Sequence, residues 1–179
     1  MAVFGLYLLL LNVTHALLQP SLADRFLLSL STYTRAYKNL DVIPIDQGMQ
    51  GIIDAYGELD ASWRAYEPVL RKTDSAKADA MEARVAMMLF GNMAVLYDPE
   101  APDEENMFTT ADVRKAYERI SPEYLNQLEA QLRPKYPNVN LTWGDQWIFP
   151  MDKPLLLADA ISNALLDAVE LHTGIRLPK

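Results

Sequence analysis

Residues 75–98 read SAKADAMEARVAMMLFGNMAVLYD, and the fold turns on this stretch. In its first half Met81, Val85 and Met88 recur at helical spacing, opposite Lys77, Asp79, Glu82 and Arg84. That is the pattern of an amphipathic helix with one face on a core. From Val85 to Tyr97 the sequence is apolar on every side, broken only by Gly91 and Asn92. A helix apolar all round has to be covered all round, so this segment is expected to be the central helix of a bundle. Gly91 costs roughly 1 kcal/mol relative to Ala in an open helix, a penalty that a close approach by a neighbouring element would explain. The Asn92 amide needs a partner, because an unpaired polar group in a core costs about 1–3 kcal/mol.

The segments before this one carry matching stripes. Ser21-x-x-Asp24 has the form of a capping box, followed by Leu22, Phe26, Leu30, Tyr33, Tyr37 and Leu40 on one face. Pro44 makes residues 41–45 an extended connection. Asp46 is expected to cap the next helix, whose seam is Ile52, Tyr56, Leu59, Trp63, Tyr66 and Leu70. Pro68 is expected to end or kink it near Tyr66.

After the central segment, residues 98–108 break the pattern with two prolines and a run of carboxylates. Thr109 or Thr110 opens a short helix with Val113, Tyr117 and Ile120. Ser121-Pro122-Glu123 opens another, bearing Leu125, Leu128 and Leu132; Ser at the N-cap, Pro at the first position and an acid in the first turn are strong start signals. Residues 133–151 have no helical period. Val139, Leu141 and Trp143 alternate there as in a short strand. The last helix is expected from Asp152, with Pro154 in its first turn and Leu157, Ala158, Ile161, Leu165, Ala168, Val169 and His172 along it. Gly174 suits a left-handed C-terminal cap with Ile175 as its hydrophobic contact. The fold class is therefore all-α: a single irregular bundle of about six or seven helices with one long aromatic loop. Residues 1–19 form a hydrophobic N-terminal helix and residues 20–179 a single helical domain. Segment 2–18 admits three roles, a core helix, a membrane anchor or uncleaved leader, and a cleaved signal. Membrane association through it is one expectation.

The totals bound the function. The chain has 179 residues, half of them hydrophobic and 22% charged, a globular composition. Its net charge is −8 and its pI about 4.7, which argues against a nucleic-acid binder, since that needs a basic face. There is no cysteine, so disulfides, zinc-thiolate sites and thiol nucleophiles are excluded. The two histidines, His15 and His172, lie in no metal-binding spacing, and His172 in a last helical turn suits a cation at the dipole's negative end. No GxSxG, GxGxxG or phosphate-loop motif occurs. The acids Asp98, Glu100, Asp103, Glu104 and Glu105 do not follow an EF-hand spacing and read as a solvated loop. No metal, cofactor or catalytic set is expected.

Two candidate sites remain. Trp143, Asp145 and Gln146 form an aromatic loop edge suited to a partner protein. Tyr56, Trp63, Met88 and Met93 could line a pocket for a small molecule or lipid. The leading expectation is a non-enzymatic protein–protein interaction role, as a small acidic accessory, inhibitor or immunity-like protein with a possibly basic partner. A periplasmic or membrane-associated setting is favoured over the cytoplasm by the hydrophobic N-terminus. The alternatives are the ligand-binding helical domain and, third, an enzyme without a recognisable motif.

Overall fold

The computed structural model describes residues 20–39, 45–98, 100–138 and 154–176. Within them the chain forms six α-helices: α1 (Leu22–Asn39), α2 (Ile45–Thr73), α3 (Ser75–Leu96), α4 (Thr110–Glu118), α5 (Pro122–Leu132) and α6 (Pro154–Thr173), with a 3-10 turn at Asp103–Glu105. The fold is an all-α bundle. The expected N-terminal helix, residues 41–44 of the extended connection expected at 41–45, the strand at 139–143 and the aromatic stretch 143–149 lie outside the described residues; Ile45 is already the first residue of α2, so Asp46 lies inside that helix rather than capping it.

Helix starts follow local chemistry. Ser21 and Asp24 exchange hydrogen bonds in a capping box: Ser21 N donates to Asp24 Oδ2 at 3.1 Å and Asp24 N to Ser21 Oγ at 3.1 Å. Asp74 accepts from Lys77 N to open α3. Thr109 and Asp112 form a second capping box at α4, and Ser121 accepts from Tyr124 N to open α5 ahead of Pro122. Each such cap satisfies backbone donors that the first helical turn leaves without partners.

α3 is the central helix. It packs against α2, α4, α5 and α6, most extensively against α6, while α1 lies chiefly along α2. Every residue from Val85 to Asn92 is buried. Gly91 is where α6 comes closest: a Cβ there would stand 2.4 Å from Ile161 Cγ1. Asn92 finds the partners it needs, its Nδ2 donating to Tyr33 Oη on α1 at 2.6 Å and to Met88 O at 2.8 Å. Burial pushes the Tyr33 hydroxyl far above its ordinary pKa, so it stays protonated. At the α1–α2 seam, Ser29 and Ser62 meet hydroxyl to hydroxyl at 2.6 Å, and Phe26 packs on Trp63 and Tyr66.

The structure corrects several expectations. α2 does not stop near Tyr66; it runs through Pro68 to Thr73. The missing proline N–H is tolerated because the last turn is held from outside: Leu70 is in the core, and Arg71 pairs with Glu67 and with Asp79 of α3. Val95 is half-exposed, so the apolar collar of α3 opens in its last turn. Leu22, expected on the inward stripe of α1, is exposed. Gly174 does adopt a left-handed conformation, φ 73°, and its N–H returns to Glu170 O at 2.7 Å. Ile175 is 62% exposed, so the cap forms without its hydrophobic contact. Asp98 and Asp103 are engaged within the chain: Asn106 clamps the Asp98 backbone from both sides, and Asp103 Oδ1 accepts from Thr110 N and Oγ1. Among the described residues no helix is long and apolar enough to cross a membrane.

Candidate functional site

Three helices leave a cleft between them. On α2, Tyr56, Trp63, Arg64, Glu67 and Arg71 follow one another at intervals that keep them on neighbouring faces. On α3, Glu82 and Met93 are eleven residues apart, three helical turns, and so share a face. On α4, Asp112, Lys115, Ala116 and Arg119 complete the wall. The cleft has a volume of about 600 Å³ and is open to solvent. Its floor is the buried Trp63 with Met93 and Ala116, and its rim is charged.

Glu82 organises the interior. Its Oε2 accepts from Trp63 Nε1 at 2.5 Å and its Oε1 from Arg119 Nε at 2.9 Å, so one carboxylate is held between an indole on α2 and a guanidinium at the end of α4. Asp60 stands behind this pair, with its Oδ2 2.6 Å from Arg64 Nε and its Oδ1 3.7 Å from Arg119 Nη2. That Oδ1 is buried and accepts no hydrogen bond among the described residues. Burial opposes the Arg119 charge, but the bond to Glu82 and the charges of Glu82 and Asp60 outweigh it and raise its pKa. Burial raises the pKa of Tyr56, with Asp60 adding to the effect, so its hydroxyl remains a donor at neutral pH. The hydrogen bonds from Thr109 hold the Asp112 carboxyl below its ordinary range. The lining contains no histidine, serine or threonine.

Of the residues singled out for a small-molecule pocket, Tyr56, Trp63 and Met93 line this cleft. Met88 does not: it is fully buried, because five residues separate it from Met93 and place it about 140° round the helix. Trp143, Asp145 and Gln146 lie outside the described residues. The rim residues Arg64, Glu82, Lys115 and Arg119 were not separable in sequence from ordinary helix-surface charges. The one signal for them was Glu82, an acid one turn before an otherwise closed apolar segment.

A second polar cluster centres on the buried Tyr124 and Asp167. Arg84 lies 4.6 Å over the Tyr124 ring, while Tyr124 Oη and Gln131 Nε2 each donate to Asp167 at 3.3 Å. It ties α3, α5 and α6 together. His172 packs edge-on against Phe26 and Tyr66. Burial, with help from Lys77, lowers its pKa against the opposing charge of Asp24, so it is not placed there as a helix-end cation. Among the described residues no three potential metal ligands converge.

No protein-family model matches the chain, and neither the curated proteins nor the solved structures gave a match.

Proposed function

We propose that the protein is a non-enzymatic binding domain that takes a small molecule in the α2–α3–α4 cleft. The observation that carries this reading is the cleft itself: about 600 Å³, with an aromatic and thioether floor and a charged rim. Small-molecule sites have that size and that division of labour, an apolar surface for affinity and a few convergent polar groups for orientation. The reading as a partner-binding accessory protein depends on Trp143, Asp145 and Gln146, for which the described residues supply no geometry, so the cleft takes precedence.

The test is a fragment screen by ligand-observed NMR, with hits mapped on backbone amide shifts. Hits should converge on Tyr56, Arg64, Glu82, Lys115 and Arg119. Hits scattered over the surface, or clustered on another face, would refute the assignment.

A further inference from the structure

Resting on the reading of the cleft as a small-molecule site, we infer that its ligand is a small organic oxyanion, a carboxylate or a phosphate monoester, and that Glu82 is a built-in competitor which the ligand displaces from Arg119.

The hydrogen-bonding groups of the wall are unevenly engaged. Each acid that lines the cleft already accepts from a donor of the protein: Glu67 from Arg71, Glu82 from Trp63 and Arg119, and Asp112 from Thr109. The donors are not matched in the same way. Lys115 forms no ion pair among the described residues. Among the described residues Arg119 hydrogen-bonds through Nε alone, since its Nη2 stands at 3.7 Å from Asp60 Oδ1, beyond hydrogen-bond distance. Among the described residues Arg64 likewise uses Nε alone, on Asp60. The Tyr56 hydroxyl is a further donor facing the same charges. A wall with spare N–H and O–H groups and engaged carboxylates is complementary to a molecule rich in acceptors. Four of the lining side chains are cationic and three anionic, with Asp60 paired to Arg64 and Asp79 to Arg71 behind them.

The position of Glu82 shows where the oxyanion binds. Its carboxylate is held by an indole N–H and a guanidinium N–H that converge on it from two helices, the fork that recognises a ligand carboxylate or phosphate equally well. The Glu82 side chain is 28% exposed, so it can swing outward and release Arg119. An incoming oxyanion takes its place, Lys115 adds a second cation, and the organic body of the ligand rests on Met93 and Trp63.

The experiment titrates the full-length protein with phenyl phosphate, benzoate and neutral benzamide, by calorimetry and by amide shifts of the cleft residues. Phenyl phosphate and benzoate should bind and benzamide should not; the tighter of the two oxyanions identifies the headgroup. Glu82→Gln keeps an acceptor for the Trp63 indole and removes the competing charge, so oxyanion affinity should rise about fivefold, as expected for one like charge removed a few ångströms away in a half-wet site. Lys115→Glu, at an exposed position without an ion pair, should weaken binding by at least as much and folds whether or not Glu82→Gln does. Benzamide binding as tightly as benzoate, or Glu82→Gln leaving affinity unchanged or lower, overturns the inference while leaving the cleft a binding site. If no fragment of any charge shifts the cleft amides, the underlying reading falls and this inference with it.

Discussion

Two glycines inside helices should respond to the same substitution with opposite signs. Gly57 lies mid-helix in α2 with nothing within 4 Å of the place a Cβ would take, whereas at Gly91 in α3 a Cβ would meet Ile161 Cγ1 at 2.4 Å and Cδ1 at 2.7 Å. Apolar carbons sit comfortably at about 3.5–4.0 Å, so Ile161 would have to retreat by roughly 1 Å or more. It has no room to do so, being 1% exposed in a close-packed seam. Overpacking of this kind costs about 1–3 kcal/mol. The gain in helix propensity from Gly to Ala returns roughly 1 kcal/mol. Gly91→Ala should therefore destabilise by roughly 1 kcal/mol, within a window of about 0–2, and Gly57→Ala should stabilise by about 0.5–1 kcal/mol. Urea unfolding followed by circular dichroism reads both as shifts in midpoint at constant slope. Ile161→Ala removes the two clashing atoms, so in that background Gly91→Ala should become stabilising, with a coupling energy on the order of 1–3 kcal/mol. If Gly91→Ala stabilises the parent as much as Gly57→Ala does, the close approach of α6 to α3 is wrong.

Tyr33→Phe removes one of the two acceptors of the buried Asn92 amide and should cost about 1–2 kcal/mol with an unchanged far-ultraviolet spectrum; equal stability would mean that Asn92 is satisfied without α1. Thr109→Ala removes the side-chain half of the α4 capping box, the bond that Thr109 Oγ1 accepts from Asp112 N, and should cost about 1 kcal/mol, seen as faster hydrogen exchange in α4 ahead of the other helices. The lowered pKa of His172 means that the unfolded chain takes up its proton first as pH falls. Stability from this residue is thus complete above about pH 6.5 and declines below it; His172→Gln should flatten that slope, and an unchanged pH profile would place the ring in water.

Much of the fold was legible because local and global preferences agree. The switch in residues 75–98 from amphipathic to wholly apolar can be met only by a helix surrounded by others, and Gly91 and Asn92 carry the close approach and the hydrogen bond that such a helix requires. Ser21 and Asp24, and Ser121 with Pro122, announced their helices because capping is decided within four residues. Pro68 misled because propensity is a local quantity, while the turn beyond it is held by Leu70 in the core and by Arg71 reaching α3. Ile175 misled in the same manner: the backbone of the Gly174 cap is local, but whether a side chain finds cover depends on what packs nearby. The cleft was half legible. Tyr56, Trp63 and Met93 can be read as large side chains on inward stripes, yet their partners Lys115 and Arg119 come from a helix whose register against α2 no sequence spacing reveals. Met88 was grouped with Met93 by residue type, although helical geometry separates them by about 140°.

The two sides of α3 differ in a way that supports the proposed ligand site. Gly91 lies about 180° round the helix from Glu82, and there the fold closes its seam with Ile161, Leu157 and a run of buried alanines at positions 160, 164 and 168 of α6. The opposite side could have been closed likewise. Instead it holds Glu82, Arg119 and Asp60 half-buried, with Asp60 Oδ1 lacking a donor. Partly exposed ion pairs contribute about 0–1 kcal/mol each, and an unsatisfied buried acceptor costs about 1–3 kcal/mol, so the cluster is at best neutral for folding. Apolar residues of similar volume would stabilise such a seam at least as well. A bundle that can pack one side of its central helix to contact distance, and leaves an open charged cleft on the other, has the composition of a scaffold on one side and of a site on the other.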